Sequence, residues 1–398
     1  MRRSTDRILT THPGRLPNPD SQDEVVEARN SGDQRRLDEL IKTGIAATVD
    51  KQKQLGIDIM SDGEFWKFRD HKYYASRASG IETRPVKPGE APTILIHQDE
   101  RRTPEFKAFW EIYDRVGNTP LPGQEILGLG LQRLRSAITG PLAPLPADAI
   151  KHEIDVVKAG IAAAGARVQD FFFPVLGPGW LGHFVWNEYY KTDEEYAYAM
   201  AAFFKNDYKA VADAGFTLQI DDPGLCDSWK MMDPPMSIEQ YRKRVSLRIE
   251  ATNWALEGIP EESVRYHTCW GSWHTPHTTD IPLEHVIDIM LKVNASAYSI
   301  EAADVRHELD WKLWDGPHKL PEGKVFIPGV IAHKTTTIEP PELVAERIMR
   351  YAKLMGRENI IAGVDCGVGG RCYPDIGWAK LKALVDGAAL ASKQLWER

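Results

Sequence analysis

Short apolar runs that each close on polar residues or glycine, alternating with long amphipathic stretches, constrain the fold of this chain more than any other feature. Nine such runs occur: Arg7–Gly14, Gly56–Glu64, Ser136–Pro141, Val168–Leu176, Thr217–Asp222, Ser263–Trp270, Ala297–Ala303, Lys324–Ile331 and Ile360–Gly367. Helical periodicity fills the spaces between them. Leu37, Leu40, Ile41, Gly44, Ile45 and Thr48 form one stripe, and Val344, Ile348, Tyr351, Ala352 and Met355 form another. Gly215 and Gly356 stand where a helix C-cap is expected, just ahead of the next apolar run. Strands alternating with helices imply parallel βαβ units, and about eight such units close into a barrel. The expected fold class is therefore α/β, a (β/α)8 TIM barrel spanning 1–398 as one domain, with an open doubly wound sheet as the alternative. Nine runs exceed what a barrel uses, so at least one either is not a strand or lies outside the barrel. The stretch from Gly80 to Arg135 is rich in proline and charge and shows no clear strand period. Residues 80–135 are expected to be an insertion, or a cap, near the mouth.

Composition narrows the partners. The 398 residues carry a formal net charge of −8 with no concentrated Lys/Arg block, which argues against nucleic acid or an anionic membrane. Met1-Arg2-Arg3 is basic, but the apolar core of a signal peptide does not follow, and no apolar run approaches the length of a membrane span. Four cysteines in a chain this long fit a reduced compartment, where cysteine serves packing, metal or catalysis; the expected location is cytoplasmic.

In a parallel barrel the active site forms where strands end and loops begin. Those ends carry Thr10-Thr11-His12, Ser61-Asp62-Gly63-Glu64, Asp221-Asp222-Pro223, His267-Thr268-Cys269, Glu301, His333 and Asp365-Cys366-Gly367. Solvated loops do not choose acids, histidine and cysteine so regularly. His267 and Cys269 lie two apart on an extended segment, so both face one side. Glu301 closes the next run, and Cys366 a later one. Two thiolates, an imidazole and a carboxylate form a tetrahedral set suited to Zn2+, and the sulfur donors disfavour magnesium or calcium. His-x-Cys alone says little, because a buried cysteine on a barrel strand is commonly small apolar packing. Several strands converging on ligand-type residues favour the metal. Structural zinc sites usually draw on paired knuckles close in sequence, whereas these residues span roughly a hundred positions, which suits a working site. The carboxylate is the weakest donor, so Glu301 is the ligand expected to yield to an incoming thiol. His274 and His277 follow the motif as candidate proton donors or anion contacts, and Trp270 and Trp273 are expected to wall the pocket. Cys226 and Cys372 read as packing.

At these residues the chain resembles the cobalamin-independent methionine synthase family. The likeness runs from Ile8 to the C-terminus apart from Gly80–Arg135, on the motifs Thr10–Gly14, Ser61–Phe65, Ile220–Pro223, His267–Cys269, Ile300-Glu301 and Asp365–Gly367. It implies a (β/α)8 barrel, Zn2+ on His267, Cys269, Glu301 and Cys366, and activation of a small-molecule thiol. The stretches His267–Asp280, Glu301–Glu308 and Asp365–Arg371 are most similar to the epoxyalkane:coenzyme M transferases (2-hydroxypropyl-coenzyme M lyases). That branch implies an electrophilic co-substrate such as an epoxide. Methyl transfer to homocysteine or another thiol is the alternative, and a non-catalytic zinc protein is a third reading. Full-length methionine synthases have two barrels, and this chain has length for one.

The resemblance also suggests roles. Glu64 and Asp221 match positions that hold an amino group, and His333 matches a histidine that handles a proton during alkyl transfer. Arg15 stands where the family has serine, and arginine suits a carboxylate or sulfonate. Trp180, after Gly177-Pro178-Gly179, would narrow the pocket. The expected substrate contacts are thus His12, Arg15, Glu64, Asp221 and Trp273, and the catalytic groups His333 and His277. A homo-oligomer is compatible with the sequence.

Overall fold

The protein is described from a computed structural model covering residues 1–67, 71–90, 97–116, 134–144 and 149–396. Ten strands occur among these residues: β1 (Leu9–Thr10), β2 (Ala78–Pro85), β3 (Leu134–Pro144), β4 (Phe172–Leu176), β5 (Trp186–Asn187), β6 (Thr217–Asp221), β7 (Val264–Thr268), β8 (Ala297–Ile300), β9 (Val325–Ile331) and β10 (Ile361–Val364). Seven form one parallel sheet in the order β1-β10-β9-β8-β7-β6-β4. Sequential strands are neighbours from β6 to β10, the order that consecutive βαβ units give. Both faces of these strands are buried, which explains their near-continuous apolar runs.

The two ends of this sheet bond to one short segment. Ile59 N–H donates to the Thr10 carbonyl at 3.1 Å, and Phe172 N–H donates to the Met60 carbonyl at 2.9 Å. The Gly56–Glu64 run is thus not a regular strand. It contributes only an isolated parallel bridge, Met60 to Phe171, while bonding to β1 on its other side.

The surplus run is Ser136–Pro141. It belongs to β3, which pairs antiparallel with β2 and parallel with β5 in a separate three-stranded sheet. Its burial is lost after Ile138, so only its first residues could have served a barrel interior. β2 also supplies a strand at the start of the 80–135 stretch, where no strand period was legible. Within that stretch 91–96 and 117–133 lie outside the described residues, and Lys107–Val116 is helical.

Helices Gln34–Leu55, Ala149–Ala163, Asp193–Asp213, Ile238–Ala255, Pro341–Met355 and Pro374–Trp396 present apolar stripes to the core. Leu37, Ile41, Gly44, Ile45 and Thr48 form the buried face of the first. That helix starts where the Asp33 carboxylate accepts from Arg36 N–H and stops at Gly56, whose φ of 88° suits glycine. Ser237 and Gln240 form a reciprocal capping box on Ile238–Ala255. Among the described residues no helix is long and apolar enough to cross a membrane.

Inside the sheet, below the strand ends, sits a fully buried Arg265. Its Nε donates to Gln219 Oε1 at 2.6 Å, Nη1 to Thr11 Oγ1 at 3.1 Å and Nη2 to the His12 carbonyl at 2.7 Å. The guanidinium carbon lies 3.6 Å from the centre of the Phe172 ring. This polar layer ties β1, β6 and β7 together directly beneath the loops.

Candidate metal centre

Strand register sets the level of the donors. Asp221 pairs with His267, His267 with Ser299, and Thr268 with Ile300, so β6, β7 and β8 finish together. Cys269 follows β7, Glu301 follows β8, His333 lies just beyond β9, and Cys366 lies just beyond β10.

Three of these groups converge. Single donor atoms of His267, Cys269 and Cys366 all lie within 4.8 Å of one another. The two sulfurs are 3.7 Å apart and both cysteines are free. His267 Nδ1 lies 3.2 Å from Ser299 Oγ, while its buried Nε2 has no hydrogen-bond partner among the described residues. A hydrogen bond at Nδ1 fixes the ring and leaves the other nitrogen facing the sulfurs. Donation from the Cys269 thiol pulls Cys366 well below the ordinary cysteine range, and Cys269 is pushed up in return. One orphaned imidazole nitrogen beside two thiols, one of them an easily formed thiolate, fits a soft divalent ion.

The sulfurs open onto a cavity of about 130 Å³, large enough for a small molecule. Arg15, Glu64, Asp221 and Trp273 line it with Cys269 and Cys366. Gly14, with φ at 139°, lies against the Glu64 carboxylate, and an added Cβ would overlap Oε1. Asp221 Oδ1 lies 3.8 Å from His267 Nε2. Burial, then Cys366 and Glu64, push the Asp221 carboxyl well above the usual range. Trp273 donates from Nε1 to Asp227 Oδ2 at 2.9 Å, which fixes its indole in the wall.

His12 is placed differently from a substrate contact. It is buried and absent from the cavity lining, with Nε2 2.9 Å from Gln52 Oε1 and Nδ1 accepting from Gly14 N–H. Both ring nitrogens are used, so it shapes the Gly14 turn. Burial pushes its pKa down to about 4.

No profile of a known protein family matches the chain. It is 21% identical to a methionine synthase of Sulfolobus acidocaldarius over 98% of this chain and 93% of that one. It is 24% identical to the 2-hydroxypropyl-CoM lyase of Xanthobacter autotrophicus, over 98% and 96% of the two chains. The fold matches that of a B12-independent methionine synthase from Shewanella sp. W3-18-1, solved with selenomethionine, with a TM-score of 0.69 at 18% identity over 98% and 100% of the chains. Along nearly its whole length the chain is thus similar to a methionine synthase and to a 2-hydroxypropyl-CoM lyase, as the resemblance in its motifs leads one to expect.

Of the four residues that the resemblance implies as metal ligands, the structure brings together three. Glu301 stands apart: its carboxylate groups within 4.8 Å of His333 and Asp365 instead. Oε2 accepts from Trp270 N–H at 2.9 Å, and Oε1 pairs with Arg306 Nη2 at 2.6 Å. Burial alone would raise this carboxyl, but Arg306, His307 and Lys334 bring it down to about 2.

The two histidines with expected catalytic roles are both buried and absent from the cavity lining. His333 Nε2 lies 2.9 Å from Ser272 Oγ, on the cavity wall, and Nδ1 has no hydrogen-bond partner among the described residues. Burial lowers its pKa to about 4. His277 has φ at 57°, bonds the Trp273 carbonyl through Nε2 at 2.7 Å and faces Lys230 Nζ at 2.9 Å through Nδ1. Burial and then Lys230 lower its pKa to about 3.

Behind the donors runs an ionic network that residue types alone did not reveal. Lys230 Nζ, 1% exposed as a side chain, donates to the Trp270 carbonyl and to Asp280 Oδ1, each at 2.7 Å. Arg306 joins Asp280, Asp304 and Glu301. Asp365 Oδ1 accepts from Ala302 and Ala303 N–H at 2.8 and 2.7 Å, and Oδ2 from Asp304 N–H at 2.8 Å. Lys67, Trp180, Phe184 and Arg371 also line the cavity. Trp180 is the residue expected to narrow the pocket, Arg371 ends a stretch of the resemblance without an expected role, and Lys67 carries no signal in the sequence.

Proposed function

We propose that the chain is a zinc-dependent thiol alkyltransferase that activates a small thiol for attack on an epoxide or comparable electrophile. The observation that carries this reading is the orphaned Nε2 of His267 facing the Cys269 and Cys366 sulfurs at the floor of a lined cavity. His267, Cys269 and Cys366 would hold Zn2+, with Glu301 the fourth donor within the family pattern. When bound, zinc lowers the pKa of a coordinated thiol so that its thiolate prevails at neutral pH.

The remaining steps belong to the chain. Arg15, Lys67 and Arg371 give the cavity positive groups that suit an anionic tail on the thiol. Trp273, Trp180 and Phe184 supply an apolar wall that keeps water from the electrophile. Opening an epoxide forms one C–S bond and breaks one C–O bond, and the thiol proton ends on the new hydroxyl, so no further reagent is consumed. His333, linked to the wall through Ser272, would pass that proton.

Methyl transfer to an amino-acid thiol is the second reading. It is favoured by Glu64 and Asp221, which both line the cavity as acids suited to an ammonium group. We further infer a (β/α)8 barrel over 1–398, with the Ile57–Met60 segment in the eighth strand position and 80–135 as a cap. A cytoplasmic setting suits its free thiols.

X-ray absorption at the zinc edge tests the proposal. Purified protein should carry about one zinc per chain, and coenzyme M or homocysteine should add a new Zn–S contact. Protein that takes up zinc but whose metal ignores both thiols would leave the alkyltransferase reading without support.

A further inference from the structure

Arg306 is held in place without help from Glu301. Its Nε donates to Asp304 Oδ1 at 3.1 Å, and its Nη1 pairs with Asp280. Asp280 is in turn fixed by Lys230, and the backbone of Ala302–Asp304 is fixed by Asp365. Only Nη2 reaches Glu301, at 2.6 Å. The guanidinium fork therefore keeps its position whether or not the Glu301 carboxylate is there. The carboxylate meanwhile is fully buried, bonded at both oxygens, and outside the group formed by His267, Cys269 and Cys366.

We propose that Arg306 is the off-metal station of Glu301: it holds the carboxylate away from His267, Cys269 and Cys366 and so sets how readily a fourth donor joins them. The inference rests on the zinc reading above. Arg306 is a positioning residue in this role, since it acts through Glu301 and does not line the cavity. A carboxylate bound tightly to an arginine has fewer lone pairs to offer a metal. Removing the arginine should therefore strengthen metal binding, the reverse of what loss of an ordinary supporting residue does.

The test uses the full-length protein and two readouts besides activity: zinc affinity by chelator competition, and the visible absorption of the cobalt-substituted protein. Arg306→Met should tighten zinc by about tenfold or more, because a charge-assisted hydrogen bond no longer competes. Its cobalt spectrum should change as an oxygen donor enters. Arg306→Lys, which keeps the charge and loses the fork, should tighten zinc less. In a Glu301→Gln background Arg306→Met should change neither readout. Unchanged or weaker zinc binding in Arg306→Met overturns the proposal, as does an equal effect in both backgrounds. Should Arg306→Met fail to fold, Arg306→Lys carries the comparison, and wild-type affinity there overturns it. Wild-type protein that takes up neither metal overturns the zinc reading itself and this role with it. Metal binding that ignores Arg306 overturns only the role.

Discussion

Gly329 on β9 leaves space that the Asp365 side chain occupies. A Cβ at Gly329 would overlap Asp365 Oδ1 and come within 2.7 Å of its Cα. Asp365 in turn accepts three backbone N–H bonds from the loop carrying Glu301. Gly329→Ala should therefore destabilise the protein by about 1–3 kcal/mol through overpacking. Asp365→Ala, which orphans three donors beside a buried site, should cost on the order of 3 kcal/mol or more. Denaturant unfolding of both variants checks the order.

Loss of a sulfur should separate metal binding from folding. Cys269→Ala or Cys366→Ala should reduce zinc from about one per chain to a small fraction after dialysis against a chelator. The unfolding midpoint should fall by a few degrees at most, roughly what 1 kcal/mol does in a chain of this size, because the apolar core is continuous without the metal. A cooperative collapse of both variants on metal removal would instead support a structural zinc protein.

Asp221 discriminates between the two substrate readings. Asp221→Asn keeps the shape and removes the carboxyl group that an ammonium group would meet. It should weaken binding of homocysteine by about tenfold and leave coenzyme M within about twofold, measured as thiol affinity of the zinc protein. Arg15→Met should weaken both thiols by a similar factor, since each carries an acidic group.

His12 should leave a mark on acid stability. Its folded pKa, about 4, lies below the ordinary value of 6.5, so the unfolded chain binds the proton first as pH falls. The resulting stability is present above pH 6.5 and is lost as pH falls toward 4. The contribution is on the order of 3 kcal/mol. Unfolding free energies across this range should lose that part of their slope in His12→Asn, and a slope that stays the same would refute the assignment.

Strand ends were legible because their chemistry is local. Each of His267, Cys269, Glu301 and Cys366 announces itself by residue type at the close of an apolar run, and eight of the nine runs fall in the parallel sheet or at its ends. Ser136–Pro141 was misleading because an antiparallel partner, β2, satisfies the same apolar pattern as a barrel neighbour. The partition of Glu301 from the other three donors could not be read in advance, since it depends on Arg306 five residues along and on Asp280 from another loop. Lys230 and Lys67 were hidden for a related reason. A lysine that becomes buried does so because of partners far away in sequence, and nothing in its immediate neighbourhood marks it.

The two sulfurs are separated by 97 positions, and the second lies beyond β10. During synthesis, a chain released up to β9 offers His267 and Cys269 but lacks the second sulfur. If the three donors hold zinc as proposed, capture by the complete thiol pair would be a late event that follows a nearly finished fold.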